Sequence, residues 1–334
     1  MFTSSLGDMA QNYSLQSRNT SLKQHIQRLT QELASGQVAD MRKAVTGNAA
    51  YVNDLERSLT KLDGYETATQ EAVQFADSVQ TALGRVYDLN SAFRDTLIMQ
   101  ASAPPKNGDN SLPAKATKAL TDVINTVNTQ SAGRSLFAGT ATDTAPLASP
   151  DDMLAALGTA VAGAGSVDDI LAAAQTWFDD PAGFASIGYL GSDTSLAPLA
   201  VSDRDSARFE LRADDTAFRD TLRNLAMNAL ADDPALGLSD TQKSELAQKT
   251  LGGVIGASSA MIDLQTTVGT SQGQLETITT QNASERTSLQ IARNELLAIN
   301  PFEAATELEQ VQFQLQSLYA ITSRMSQLSL VNFL

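Results

Sequence analysis

Apolar residues recur at heptad-related spacing at both extremities of this chain. Leu15, Leu22, Ile26, Leu29 and Leu33 mark the start; Leu308, Val311, Leu315, Leu318, Met325 and Leu328 mark the finish, followed by Leu330, Phe333 and Leu334. A stripe repeating about every 3.5 residues is a helix face that another helix must cover. Chain ends fray unless something ties them down. Two such stripes therefore predict ends that pair with each other and with copies or relatives of the chain, and these residues are the candidate subunit contacts. An ordinary core face is the plainer alternative for the same leucines.

Between the ends the pattern stays helical. One helix is expected over residues 10–34, closing at Ser35-Gly36, where glycine suits a C-cap. A second runs over 48–101 with an apolar stripe of Val52, Leu55, Leu59, Leu62, Val73, Ala76, Leu83, Val86, Phe93 and Leu97, until Pro104-Pro105 stop it. A third covers about 112–132. Residues 141–204 change character, being rich in Ala, Gly and Asp, with helical pieces at 151–162 and 167–178. FASIGYLG and LAPLAV within it, and ARFELRA just after, look like short strands. Helix resumes over 216–230 and 240–296, the latter with Leu246, Leu251, Val254, Met261, Val268, Leu275, Leu289 and Leu296 in heptad relation. Asn300-Pro301-Phe302-Glu303 then reads as a fresh helix start. The expected fold is mainly α: an elongated, nested helical rod with coiled-coil-like terminal helices and a small central α/β or β-rich insert. The expected divisions are 1–45 with 297–334 for the terminal assembly helices, 46–140 with 205–296 for the rod, and 141–204 for the insert.

Charge and composition narrow the function. The net charge is −15, which argues against a nucleic-acid backbone as partner. Residues 1–62 carry seven basic and five acidic side chains, and residues 286–334 three and four, leaving thirteen against 29 between them. Near-neutral ends can associate closely while an acidic middle stays in water. Cysteine is absent, so neither disulfides nor thiolate metal sites can form. Residues 1–20 lack an apolar stretch after a basic start, so no Sec-type signal peptide is expected. No apolar run is long enough to predict a membrane span.

The chemistry of catalysis has little material here. The single histidine, His25, rules out a His-based triad with a second histidine or a multi-histidine metal site, and it reads as a surface or interfacial polar residue. Acid pairs at Asp151-Asp152, Asp168-Asp169, Asp179-Asp180, Asp214-Asp215 and Asp232-Asp233 lack the interleaved ligands of a calcium loop and read as helix-start and solubility features. LGGVIG has no strand before it and no Lys-Ser/Thr after it, so it is not a phosphate loop. Trp177-Phe178 reads as a core anchor of the insert. No enzyme activity, metal or cofactor is expected.

Four stretches carry a resemblance. NPFEAATELEQVQFQLQSLYAITSRMSQLSLVNFL at the end, VGTSQGQLE at 268–276, RSLFAGTATDTAP at 134–146 and ELASGQ at 32–37 together resemble the flagellin superfamily, and within it the hook–filament junction family of hook-associated proteins. The likeness covers roughly the two terminal thirds and leaves the insert unmatched. Filament flagellins usually follow the first helix with a Leu-Ser-Ser-Gly segment and an acidic pair; ELASGQVADMRKAVTGN lacks that pair, and SLVNFL is unlike their ending. Both departures favour the junction branch. The resemblance implies a non-enzymatic subunit of the bacterial flagellum, exported by the flagellar type III pathway to an extracellular place. It implies ends that are disordered in the monomer and pair as an inner coiled-coil layer, with the insert facing outward. Its implied partners are copies of itself, the adjacent hook-associated protein, flagellin and an export chaperone at the C-terminal region. A minor flagellin of the filament and a cytoplasmic coiled-coil adaptor remain as alternatives, with an enzyme hidden in 141–204 more distant.

Overall fold

The computed structural model describes residues 2–39, 49–102 and 111–331. Among them lie eight α-helices: α1 (Phe2–Ser35), α2 (Ala49–Ser102), α3 (Ser111–Val127), α4 (Pro150–Val161), α5 (Val167–Asp179), α6 (Thr216–Ala229), α7 (Asp240–Leu297) and α8 (Pro301–Val331). A π-helical turn occupies Phe184–Gly188 and a 3-10 turn Leu230–Asp232. Sheet is confined to two antiparallel pairs: β1 (Gln130–Ser131) with β2 (Arg134–Ser135), and β3 (Leu199–Ala200) with β4 (Ser206–Ala207). The fold is mainly α. It divides into a unit built from both ends, residues 1–63 with 283–334, and a unit made of one continuous stretch, 64–282.

The long helices follow from their repeats. In α2 the buried positions include Val52, Leu55, Leu59 and Leu62, then Ala76, Val79, Leu83, Val86, Asn90, Phe93 and Leu97, alternating steps of three and four. In α7, Val254, Met261, Val268, Leu275 and Asn282 are buried at intervals of seven. Such spacing keeps one stripe facing a neighbour along a whole helix. Polar members bond across the seam: the Asn90 side-chain NH2 donates to the Val254 carbonyl (2.9 Å) and the Ser258 hydroxyl (2.8 Å). Asn282 donates to the Val201 carbonyl at 2.8 Å.

The core of unit 64–282 is continuous from α2, α3, α6 and α7 into residues 141–204. Phe137 meets Phe218 edge-on with ring centroids 5.1 Å apart, and Phe178 stacks on Phe184 at 5.0 Å beside Trp177. Met153, Leu157, Ile170 and Phe178 join the same buried cluster as Leu120, Ile124 and Phe218. Helices α4 and α5 begin at Ser149 and Ser166, whose hydroxyls accept from the Asp152 and Asp169 N–H groups (both 3.2 Å). Asp151-Asp152 and Asp168-Asp169 thus occupy first turns, where carboxylates favour the helix dipole. Asp214-Asp215 sits just before α6, with Asp215 at its N-cap position. The other two pairs differ: Asp179 at the end of α5 binds Arg219 of α6 (3.0 Å), and Asp232 in the 3-10 turn binds Lys243 of α7 (2.6 Å). The expected strand FASIGYLG is also not a strand. It winds into the π turn, with one bridge from Tyr189 to Leu147, because seating Phe184 on Phe178 and Trp177 outweighs the strand alternation of its sequence.

Candidate assembly interface

The first helix stops where its sequence makes it stop. Gly36 takes φ +70° and its N–H donates to the Glu32 carbonyl at 2.8 Å, a left-handed closure that costs glycine little. The chain leaving α1 then meets the link between α7 and α8. Val38 N–H donates to Leu297 O (2.9 Å) and Ile299 N–H to Gly36 O (3.1 Å), an antiparallel bridge centred on Gln37 and Ala298. The Glu32 carboxylate is buried and accepts from the Ala39 N–H at 3.0 Å. Helix α8 restarts as its sequence predicts, with Asn300 Oδ1 accepting from the Phe302 N–H at 3.1 Å. Fixed at this end, α1 and α8 run antiparallel.

Along the pair, the contacts follow the two stripes. His25 Nε2 lies 3.0 Å from Glu307 Oε1. Farther along, Tyr319 of α8 is hydrogen-bonded to Asn19 and Lys23 of α1, which pulls its phenol below the usual tyrosine range. Leu29, Val311 and Leu318 are buried, while Leu15, Leu22, Ile26, Leu33, Leu308 and Leu315 are half-buried. These are nine of the fourteen residues expected from the sequence to be subunit contacts, and they lie on two helices that pack against each other within the chain. Met325, Leu328 and Leu330 belong to α8; their side chains, like the whole of Phe333 and Leu334, lie outside the described residues. Val52, buried with Leu297, begins the cover from α2 within the same unit.

Two further members escaped the sequence pattern. Ala304 is buried four residues before Leu308 and in register with it; its small side chain hid it. Asn19 fills the gap between Leu15 and Leu22, and only its partner Tyr319 explains a polar residue there. A second face also went unread. Phe302 and Phe313 are 79% and 69% exposed, and Tyr13 of α1 is 76% exposed. At about 100° per residue, Phe302 and Phe313 share a line on α8 nearly opposite Val311. Helix α8 thus has one apolar face covered by α1 and a second carrying two rings in water.

Among the described residues no cluster of His, Asp or Glu could hold a metal ion, and no helix is long and apolar enough to cross a membrane.

No protein-family model matches this chain, and no curated protein sequence matches it either. Two solved structures are similar. FlgL from Bacillus cereus aligns with a TM-score of 0.48 and 14% identity, over 72% of this chain and 99% of its own. A structure provisionally assigned as a flagellar hook-associated protein from Vibrio parahaemolyticus aligns with a TM-score of 0.53 and 13% identity, over 77% of this chain and 98% of its own. Its backbone and the present one follow the same helical plan, and this chain therefore shares the fold of the Vibrio hook-associated structure.

Proposed function

We propose that this chain is a structural subunit of the bacterial flagellum that joins hook to filament by helical self-assembly through its paired N- and C-terminal helices. The observation that carries the reading is the two-faced α8: Leu308, Val311, Leu315 and Leu318 face α1, while Phe302 and Phe313 stand in water on the opposite side. Rings in water opposite a covered seam leave apolar surface that a neighbouring helix can cover. The fold shared with the Vibrio protein supports a flagellar setting. On this reading residues 1–45 and 297–334 are the assembly helices, 46–140 and 205–296 the rod, and 141–204 an outward-facing insert. The partners are further copies, the adjacent hook-associated protein and flagellin, with an export chaperone on the C-terminal region. No covalent chemistry is needed: neighbours covering half-exposed stripes supply the ordering free energy.

Electron microscopy of a strain lacking the chain, with flagellin assayed in the culture fluid, tests this. Bare hooks with unpolymerised flagellin in the medium are expected. Normal filaments would sink the junction role; purified protein that polymerises freely into long filaments would instead mark a minor flagellin.

A further inference from the structure

Beyond β4 the chain keeps a strand's habit without a strand's partner. From Ser206 to Leu211 exposure alternates, with Ser206, Arg208 and Glu210 outward and Ala207, Phe209 and Leu211 half-buried, the period of two that defines a strand. The ladder with β3 nevertheless ends at Ala207. Among the described residues no backbone–backbone hydrogen bond engages residues 208–211, and the Glu210 carbonyl accepts from the Ser195 hydroxyl at 3.2 Å. Unpaired backbone N–H and C=O groups in a row are a template for another strand.

The space beside this segment is shaped to receive one. A cleft of about 660 Å³ runs along residues 208–211, floored by Phe75, Val79, Leu264 and Val268. The Phe209 ring sits 4.9 Å from that of Phe75 and forms its wall. The rim carries the carboxylates of Glu210, Asp215 and Asp263 against the one guanidinium of Arg208. Residues 64–282 as a whole hold thirteen basic and 27 acidic side chains, so the field over the cleft attracts cations.

We infer that residues 208–211 are an open strand edge that takes an added β-strand from a partner protein, in a segment whose apolar residues alternate with lysine or arginine. The added backbone pairs with the edge, alternate apolar side chains enter the cleft, and the basic ones meet Glu210 and Asp263. Strand addition here needs no flagellar assembly, so its test and that of the junction role fail separately.

The test is fluorescence anisotropy of the full chain with a labelled nine-residue peptide alternating valine and lysine. Saturable binding is expected, at least tenfold weaker when alternate peptide nitrogens are methylated in one phase and little changed in the other, because only every second N–H of an added strand faces the edge. The same loss is expected with the peptide unmodified and the chain carrying Glu210→Lys and Asp263→Lys, two exposed positions whose variant should keep its far-ultraviolet circular dichroism. Equal binding of the methylated peptides would reduce the effect to charge attraction and overturn the proposal, as would no binding or equal binding of a valine–glutamate peptide. Self-association of the chain that the double variant abolishes would overturn it differently, by making the occupant a second copy.

Discussion

In the unit of residues 64–282, Phe137, Phe178, Phe184 and Phe218 are fully buried, whereas in the unit built from the two ends Phe302 and Phe313 stand in water. Charge divides the same way. The continuous unit holds thirteen basic and 27 acidic side chains, and the terminal unit ten and eleven. One unit has closed its own core and faces solvent with like charges, which keeps it soluble and discourages casual association. The other has little charge to repel a neighbour and an apolar seam only partly covered. The difference separates two uses of the same heptad pattern: a stripe satisfied within the chain makes a fold, and a stripe satisfied only in part leaves surface for assembly.

The largest expected effect lies in the closed unit. Phe178→Ala removes a ring packed between Trp177 and Phe184 and should cost about 3–5 kcal/mol. Thermal unfolding followed by circular dichroism should show the corresponding fall in Tm, with the α1–α8 pair unchanged. Leu315→Asp makes the opposite cut. Placing a carboxylate in the half-covered seam should cost the helix pair about 2 kcal/mol and block incorporation into flagella, while the 64–282 unit melts as before. A Leu315→Asp protein that loses the melting transition of 64–282, or one that assembles normally, would break the comparison.

A smaller effect is expected at Asn282, the buried polar member of the α7 stripe. Asn282→Ala should cost about 1 kcal/mol and loosen the β3–β4 hairpin that its amide holds through Val201. Amide hydrogen exchange should quicken at Val201, whose N–H donates to Asp205 O at 3.1 Å, and stay unchanged along α8. Uniform quickening would mean that the hairpin is held by something else.

Asn282 also marks where sequence reasoning ended. The apolar period and the Pro104-Pro105 stop gave α2 as 48–101 against the observed Ala49–Ser102, and capping residues gave the stop at Gly36 and the Asn300 start of α8, because these signals act within a few residues. The polar members of the stripes were not legible. Asn19, Asn90 and Asn282 sit at heptad positions that a hydrophobic pattern skips, and their partners lie far away in sequence, Val201 being 81 residues from Asn282. The exposed ring pair was passed over for a related reason. The repeating stripe of α8 runs through Val311 and Leu315, and Phe302 and Phe313 belong to the other side of the same helix. The π turn at Phe184–Gly188 was hidden as well, since local alternation is silent about which ring an aromatic core will claim.

Two tyrosines turn the comparison into an optical measurement. In the closed unit, burial and then the Asp214 carboxylate push Tyr189 up to about 12. Its hydroxyl donates to the Ser192 carbonyl at 2.8 Å. A raised value favours the protonated folded state, so its contribution is complete below the ordinary tyrosine range and is lost as pH rises through about 12. In the terminal unit, hydrogen bonds with Asn19 and then Lys23 lower Tyr319. Its contribution to the α1–α8 pair is present above the ordinary value and is lost as pH falls through the lowered one. Ultraviolet difference titration should therefore show Tyr319→Phe deleting an early transition and Tyr189→Phe a late one. Combined with Leu315→Asp, the early transition should return to that of a free tyrosine while the late one stays put, because only the first depends on α1 and α8 lying together. If Tyr319 kept its early transition in Leu315→Asp, the seam would be held from elsewhere and the half-covered stripe would not be its weak point.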